Sequence, residues 1–559
     1  MGCSSDAMMG LASQVILGRW FMLFASFLIM SGAGATYVFG TYSKSIKSSL
    51  GYDQTHLNLL AFFKDLGANI GVFSGLIAEV APTWLVLLLC AATNFSGYFL
   101  VWLSVTSRLP HPRLWMMSLF ILIGANSQNF ANTGVLVTCV NNFPHGRGIL
   151  LGLLKGFTGL SGAVMTQLYL ALYGNDSTSL ILLIAWLPAA LCLLFMFTIR
   201  VIHDDGDDDD NESSVFYHYL YVALVLALFS MIMTVLQKQT AFSHAGYVAT
   251  ATVICVMLFF PLVIAVKQEL KLWRRRRRSM STLEPPHPPP PEGVRIEKVA
   301  AKAKAKAKEK EKGRFFGDIR KRPERGRILG YCRHCLIGES LGYPTLTIST
   351  FVSLVSIWNF CGRVFAGFVS EILIDKYRLP RPLMIAGVLV LSAVGHMFIA
   401  FPFNGSVYVA SVIVGFCFGA HLTLLYTIIS EIFGLKHYAT LFNCGQLASP
   451  VGSYVFNVRV SGALYDREAL KQLAMKGITR ESVKELTCLG TVCYRLSFII
   501  MAAVAVFGAA STMVLVMRTS EFYKGDIYKK FKDENKNLQA ENGMASNESE
   551  RAEANQTDR

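Results

Sequence analysis

WLVLLLCAATNFSGYFLVWLS, from Trp84 to Ser104, runs for 21 residues without one charged side chain. As a helix rising 1.5 Å per residue it spans about 30 Å, the thickness of a bilayer's hydrocarbon core. Working outward, apolar stretches of that length recur along the chain. Thirteen spans are expected, at about 20–41, 57–79, 84–104, 115–141, 149–172, 180–200, 216–236, 245–266, 346–373, 383–402, 406–430, 439–463 and 494–516. Only 16% of the 559 residues are charged, where soluble domains carry about a quarter. The pattern implies an all-α, multi-pass integral membrane protein. No small-residue cleavage site follows the first apolar block, so that block is expected to remain as a span.

The net charge of +15 suggests nucleic acid until it is located. Twenty Lys and Arg lie between Lys267 and Arg325, outside the apolar blocks. Beside membrane helices such a run reads as a cytoplasmic retention signal and as a surface for anionic lipid. No nucleic acid partner is expected. Cys90, Cys192 and Cys255 sit singly in apolar blocks and read as small core residues. Cys332 and Cys335 have CxxC spacing without a second pair, so no metal site and no cofactor is expected. Cys488 and Cys493, just before the last span, are placed for a disulfide on the outer side. Gly2-Cys3 hints at acylation, but Asp6 occupies the Ser/Thr position of the myristoylation pattern. Asn175 and Asn404 head glycosylation sequons in short outer loops.

Composition divides the chain into a six-helix half (15–202), an acidic loop with two extra helices (203–266), a basic low-complexity linker (267–326), a second half (327–518) and a polar tail (519–559). With Arg19 inside, eight spans return the chain to the cytoplasm at the basic linker. The next short loop, Asp375 to Arg381, and the tail with Lys524, Lys529 and Lys530 also belong inside. Both fit only if the span at 346–373 starts outside. Parity therefore fails by one helix between 326 and 346.

An internal repeat marks the same gap. Ser49-Leu50-Gly51-Tyr52 recurs as Ser340-Leu341-Gly342-Tyr343, and Gly75 to Glu79 matches Gly367 to Glu371. A complete helix precedes the first copy, whereas Arg327–Glu339 before the second is too short and polar to span. The second half is read as lacking its first helix, with a misread splice junction as the simplest source.

Two six-helix halves related by a repeat describe the major facilitator architecture, with substrate bound at mid-membrane between them. The Gly-x-x-x-Glu segments stand where that superfamily has a Gly-x-x-x-Asp loop motif, although the first copy lacks the basic residues that normally follow. More closely, the sequence resembles the plant nodulin-like family (nuclear-fusion-defective type). The residues that carry the likeness are Arg19-Trp20, Ser31 to Tyr42, Phe63 to Gly67, Asn142-Phe143-Pro144 with Arg147-Gly148, Ser349 to Ser353, Trp358-Asn359-Phe360, Gly362-Arg363, Tyr408 to Ser411 and Ser449 to Tyr454. It covers residues 15 to 520. The resemblance implies a two-halved helical bundle with two extra helices between the halves, and leaves the cargo open.

Charges inside a membrane cost roughly 2.5–3.5 kcal/mol each on insertion scales, so each is a candidate site residue. Lys64 and Asp65 stand within span two. Neighbours on a helix point about 100° apart, so these two are not expected to pair with each other. Asp65 is a candidate for proton coupling and Lys64 for anion binding; the alternative is ion pairs to other helices. Arg363, mid-span, can take a substrate carboxylate bidentately or hold another helix. Lys155 is a substrate candidate or a snorkelling residue. Asn126, Asn129 and Asn132 share a face of span four, lining a path or bonding between helices. Arg147, Glu79 and Glu371 read as gating or topology residues. Glu431, at a helix end, reads as interfacial. Gly152 and Gly156 have the spacing for close helix packing.

These residues predict a secondary carrier for a small solute, leaning toward an organic anion with proton coupling. The alternative is a non-transporting membrane protein, a receptor or fusion organiser. No nucleophile–base or metal-ligand cluster supports an enzyme. Oligomeric state and the choice between plasma membrane and endomembrane stay open.

Overall fold

In hydrocarbon every backbone polar group must be satisfied within the protein, which leaves helices for spans this apolar. The computed structural model describes residues 13–525 apart from 35–37, 53, 111, 145, 175, 203–211, 240–241, 282–344, 476 and 478–487. The expectations about Gly2-Cys3, Asn175, the acidic loop, the Cys332–Cys335 pair, most of the basic linker, the second Ser-Leu-Gly-Tyr segment, the gap before it and the tail past 525 lie outside the described residues.

The first half comprises α1 (Arg19–Gly32), α2 (Phe39–Leu50), α3 (Gln54–Asn69), α4 (Val72–Val80), α5 (Thr83–Val105), α6 (Leu114–Asn142), α7 (Arg147–Tyr173) and α8 (Ser177–Phe195). Two further helices follow, α9 (Glu212–Gln239) and α10 (His244–Ser281). The second half holds α11 (Thr345–Tyr377), α12 (Arg381–Ala400), α13 (Ser406–Ile432), α14 (Tyr438–Gln446), α15 (Ala448–Ser453), a π-helical segment (Tyr454–Gly462), α16 (Ala463–Met475) and α17 (Val492–Lys524).

Each expected span overlaps described helix, and ten pass on length and hydropathy as crossings. The other three fail for separate reasons. Span one, expected as continuous, is interrupted: α1 stops at Gly32 and α2 begins at Phe39. Span four is α6, long enough at 29 residues but diluted by its Asn, Ser and Thr. Span twelve is divided among α14, α15 and the π turn. Pro450 lies inside this stretch, where a missing N–H prevents a regular ladder. Span two is also broken, between Asn69 and Val72.

The halves meet where α7 lies along α11 and where α4 meets α14. Small residues permit the first contact. A Cβ on Gly152 would sit 2.9 Å from the Arg363 carbonyl oxygen, and one on Gly367 would strike that of Gly148. The two extra helices pack on α7 and, through α10, on α1. Aromatic rings bind them to α1: Tyr219 lies 6.3 Å from Trp20 and 5.3 Å from Phe27, and Phe259 lies 5.9 Å from Phe24. At the far end Gln167 and Gln237 exchange two hydrogen bonds, at 2.9 and 2.8 Å.

Arg19, Arg147, Arg381 and the basic end of α10 lie on one side of the bundle, which the positive-inside rule makes cytoplasmic. A disulfide joins Cys488 to Cys493, as expected, at the other side.

Candidate substrate path and gate

The break between α3 and α4 frees backbone carbonyls in the interior. The Asn126 side chain donates to Gly67 O (3.0 Å) and Ile70 O (2.7 Å), and Asn129 donates to Gly67 O (2.9 Å). The asparagine stripe therefore bonds between helices here. Across the break, Asn443 of α14 donates to Thr133 Oγ1 (2.9 Å), which lies 3.0 Å from Ser74 Oγ. A Cβ on Gly71 would collide with Asn443, so only glycine lets the halves approach this closely. The Asn129 Oδ1 atom is buried and without a hydrogen-bond partner.

Asn132 does something different. Its Oδ1 accepts from Lys155 Nζ at 3.0 Å, and the same ammonium lies 4.6 Å from the centre of the Tyr426 ring. Lys155 is only 5% exposed, so it does not snorkel. Among the described residues no carboxylate pairs with it. Arg363, 1% exposed, approaches from α11: its Nη1 donates to the Lys155 carbonyl and its Nε to Asn359 Oδ1 (2.9 Å). Two cationic residues from opposite halves are thus joined at the seam, the Arg363 guanidinium to the Lys155 backbone.

Lys64 and Asp65 are elsewhere, in the outer part of α3, and they correct an expectation. They pair with each other, Nζ to Oδ1 at 2.8 Å. The directions of the Cβ atoms do not forbid this, because the four-carbon lysine stem folds sideways along the helix. Lys64 also lies 5.4 Å from the Phe39 ring. The Asp65 side chain is 38% exposed.

At the cytoplasmic end the two repeated carboxylates are used alike. Glu371 of α11 accepts from the backbone N–H of Gly148 (3.2 Å) in the first turn of α7. Glu79 of α4 lies 3.2 Å from His437 Nδ1, at the N-cap of α14. Each half thus offers a carboxylate to a helix N-terminus of the other, where the helix dipole favours negative charge. Arg147, buried rather than interfacial, donates to Ser430 O across the same seam at 3.1 Å. Arg381 joins the second-half group, bonding Glu371 (2.7 Å), Glu431 (2.8 and 2.9 Å) and Ser370 Oγ. Tyr523 OH donates to Glu431 at 2.9 Å. Glu431 is buried, not interfacial, because Arg381 and Tyr523 satisfy both of its oxygens. Tyr523 and Tyr426 were not singled out from sequence, Asn359 entered only through the family likeness, and Glu431 only as an interfacial residue. Arg381 carried a signal there, as a loop cation, that pointed only to topology.

Two helical halves with repeated carboxylates at their seam, broken helices at mid-depth and buried polar groups between them define a carrier of the major facilitator type. Residues 19–266 match the Nodulin-like family model, and residues 334–540 that of the Major Facilitator Superfamily. The protein NUCLEAR FUSION DEFECTIVE 4 of Arabidopsis thaliana is 23% identical, over 90% of this chain and 89% of its own. The probable transporter MCH1 of Yarrowia lipolytica is 25% identical over 30% of this chain and 34% of its own. The solved structure of the proton:xylose symporter XylE is similar at 12% identity and a TM-score of 0.46, covering 90% of this chain and 96% of that one. Across its two halves the chain is thus similar to the nodulin-like proteins and to the major facilitator superfamily. It is a multi-pass membrane protein built as a secondary transporter, not an enzyme.

Proposed function

We propose that the chain carries a small organic anion by alternating access, with Lys155 and Arg363 holding its carboxylate. One observation carries this reading: a buried ammonium that, among the described residues, meets an amide oxygen and a ring but no carboxylate, with an arginine from the other half bonded to its backbone carbonyl. A desolvated ammonium without a carboxylate beside it is costly, and an arriving carboxylate compensates Lys155 while accepting from the Arg363 fork. Asn132 and Asn359 orient the two cations, and Asn129 offers an acceptor nearby. Lys64 and Asp65 lie on the outer approach. Protonation of Asp65 breaks their ion pair and frees Lys64 to receive the anion, so proton and solute enter together. Glu79, Glu371 and Arg147 hold the cytoplasmic side shut until the halves rock.

Uptake of labelled acetate, lactate and malate into proteoliposomes tests this, with glucose as the neutral control. Losing one hydrogen bond to a charged group costs about 1.5–3 kcal/mol, so Lys155→Gln or Arg363→Gln lowers carboxylate uptake roughly tenfold or more. Asp65→Asn removes the acceleration by an inward proton gradient. Glucose uptake that outpaces every carboxylate and ignores Lys155→Gln and Arg363→Gln sinks the reading.

A further inference from the structure

α10 is longer than a bilayer requires. Its 38 residues extend about 57 Å, against about 30 Å of hydrocarbon. One face of it changes character along its length. Val256, Phe260 and Val263 are 64, 51 and 59% exposed and repeat at helical spacing. The same stripe continues as Lys267, Lys271 and Arg274, all exposed. An apolar lane toward lipid thus runs directly into a basic one.

The turn where the lane changes is anchored. Glu269, on the opposite side of α10 and 1% exposed, accepts from the backbone N–H of Trp20 at 3.0 Å. Arg19 pairs with Glu212 of α9 at 2.6 Å. Beside these contacts is a recess lined by Arg19, Trp20, Glu212, Gln268, Lys271 and Arg275. The two acids are thus engaged with α1, while Lys267 and Arg274 are exposed where α10 leaves the hydrocarbon, and Lys271 is exposed at the rim of the recess.

We propose that this end of α10 binds the phosphate-bearing headgroup of an anionic lipid in the cytoplasmic leaflet. The acyl chains lie along Val256, Phe260 and Val263, and the headgroup meets Lys267, Lys271 and Arg274. A soluble phosphate would use the same cations but has no use for the apolar lane, which is why the lipid is the occupant. The inference stands on the membrane frame and is independent of the cargo.

The full chain is placed in nanodiscs of phosphatidylcholine doped with phosphatidylserine, and the lipid released with it is counted by native mass spectrometry. Phosphatidylserine is expected to be enriched over phosphatidylcholine, and the enrichment to fall with added salt. Neutralising Lys267, Lys271 and Arg274 together to Gln lowers it about a hundredfold, at the usual strength of one basic residue near a charged surface. Lys267→Arg with Lys271→Arg preserves it, which separates charge from misfolding. Equal retention of the two lipids, or enrichment untouched by the triple change, overturns the proposal. Displacement of phosphatidylserine by excess inorganic phosphate overturns the lipid as the ligand.

Discussion

Arg381 shows what a guanidinium requires once it leaves water. It is 1% exposed and reaches three side chains on α11 and α13, with Tyr523 of α17 closing the group. Arg381→Gln leaves Glu371 and Glu431 buried and facing one another, at a cost of about 3–5 kcal/mol, read as a fall in the unfolding midpoint of the detergent-solubilised protein. Tyr523→Phe removes one hydrogen bond to a charged acceptor and costs less, about 1.5–3 kcal/mol by the same measurement. At this scale sequence reading recognised charged residues but not their partners. Lys155 and Arg363 were legible as intramembrane cations; their meeting was not, since 208 residues separate them. Arg381 was read as a loop cation because its partner Glu431 lies 50 positions on. The Lys64–Asp65 pair was missed by treating side chains as fixed vectors.

Helices were legible where hydropathy alone sets them, and their interruptions were not. The gap after Gly32, the break at Ile70-Gly71 and the π turn past Pro450 depend on what neighbouring helices supply, which periodicity does not record. Asn126→Leu tests the dependence. It leaves the Gly67 and Ile70 carbonyls short of a donor and costs about 1–3 kcal/mol, and a thermal melt beside wild type reads it. Gly152→Leu pushes α7 off α11 at the Arg363 carbonyl, an overpacking cost of about 1–3 kcal/mol that appears in the same melt. The gap in the second half has a structural counterpart. Glu269 ties the end of α10 to the start of α1, and Glu371 ties the end of α11 to the start of α7, so both helices finish on the basic face. α11 is 33 residues, about 50 Å, and therefore begins on the opposite face. The chain leaves α10 on one side and enters α11 from the other. Sequencing the transcript across Arg325 to Leu341 is expected to yield about 20–25 further apolar residues; an unchanged junction would refute the missing helix.

The repeat that was legible as Gly75–Glu79 and Gly367–Glu371 becomes, in the whole molecule, a two-point latch between halves. The two points differ in strength. Glu79 meets an exposed His437, a contact worth at most about 1 kcal/mol, whereas Glu371 belongs to a buried network. Glu371→Gln therefore opens the cytoplasmic seam far more than Glu79→Gln. Labelling of Ser430→Cys by a thiol reagent added from that side is expected to rise for the first and change little for the second. Equal labelling in both would show that the latch is not where the halves are held.

The asparagines that steady α3 and α4 also impose an order on synthesis. Asn126 is translated 56 residues after Ile70, whose carbonyl it serves. At about 5–20 residues per second the wait is roughly 3–11 s. During it the broken helix has no donor from its own strand of chain, so the nascent protein must either keep that segment straight or shelter it at the insertion machinery. Substitutions at Asn126 should then depress the yield of inserted protein more than the activity of the molecules that mature.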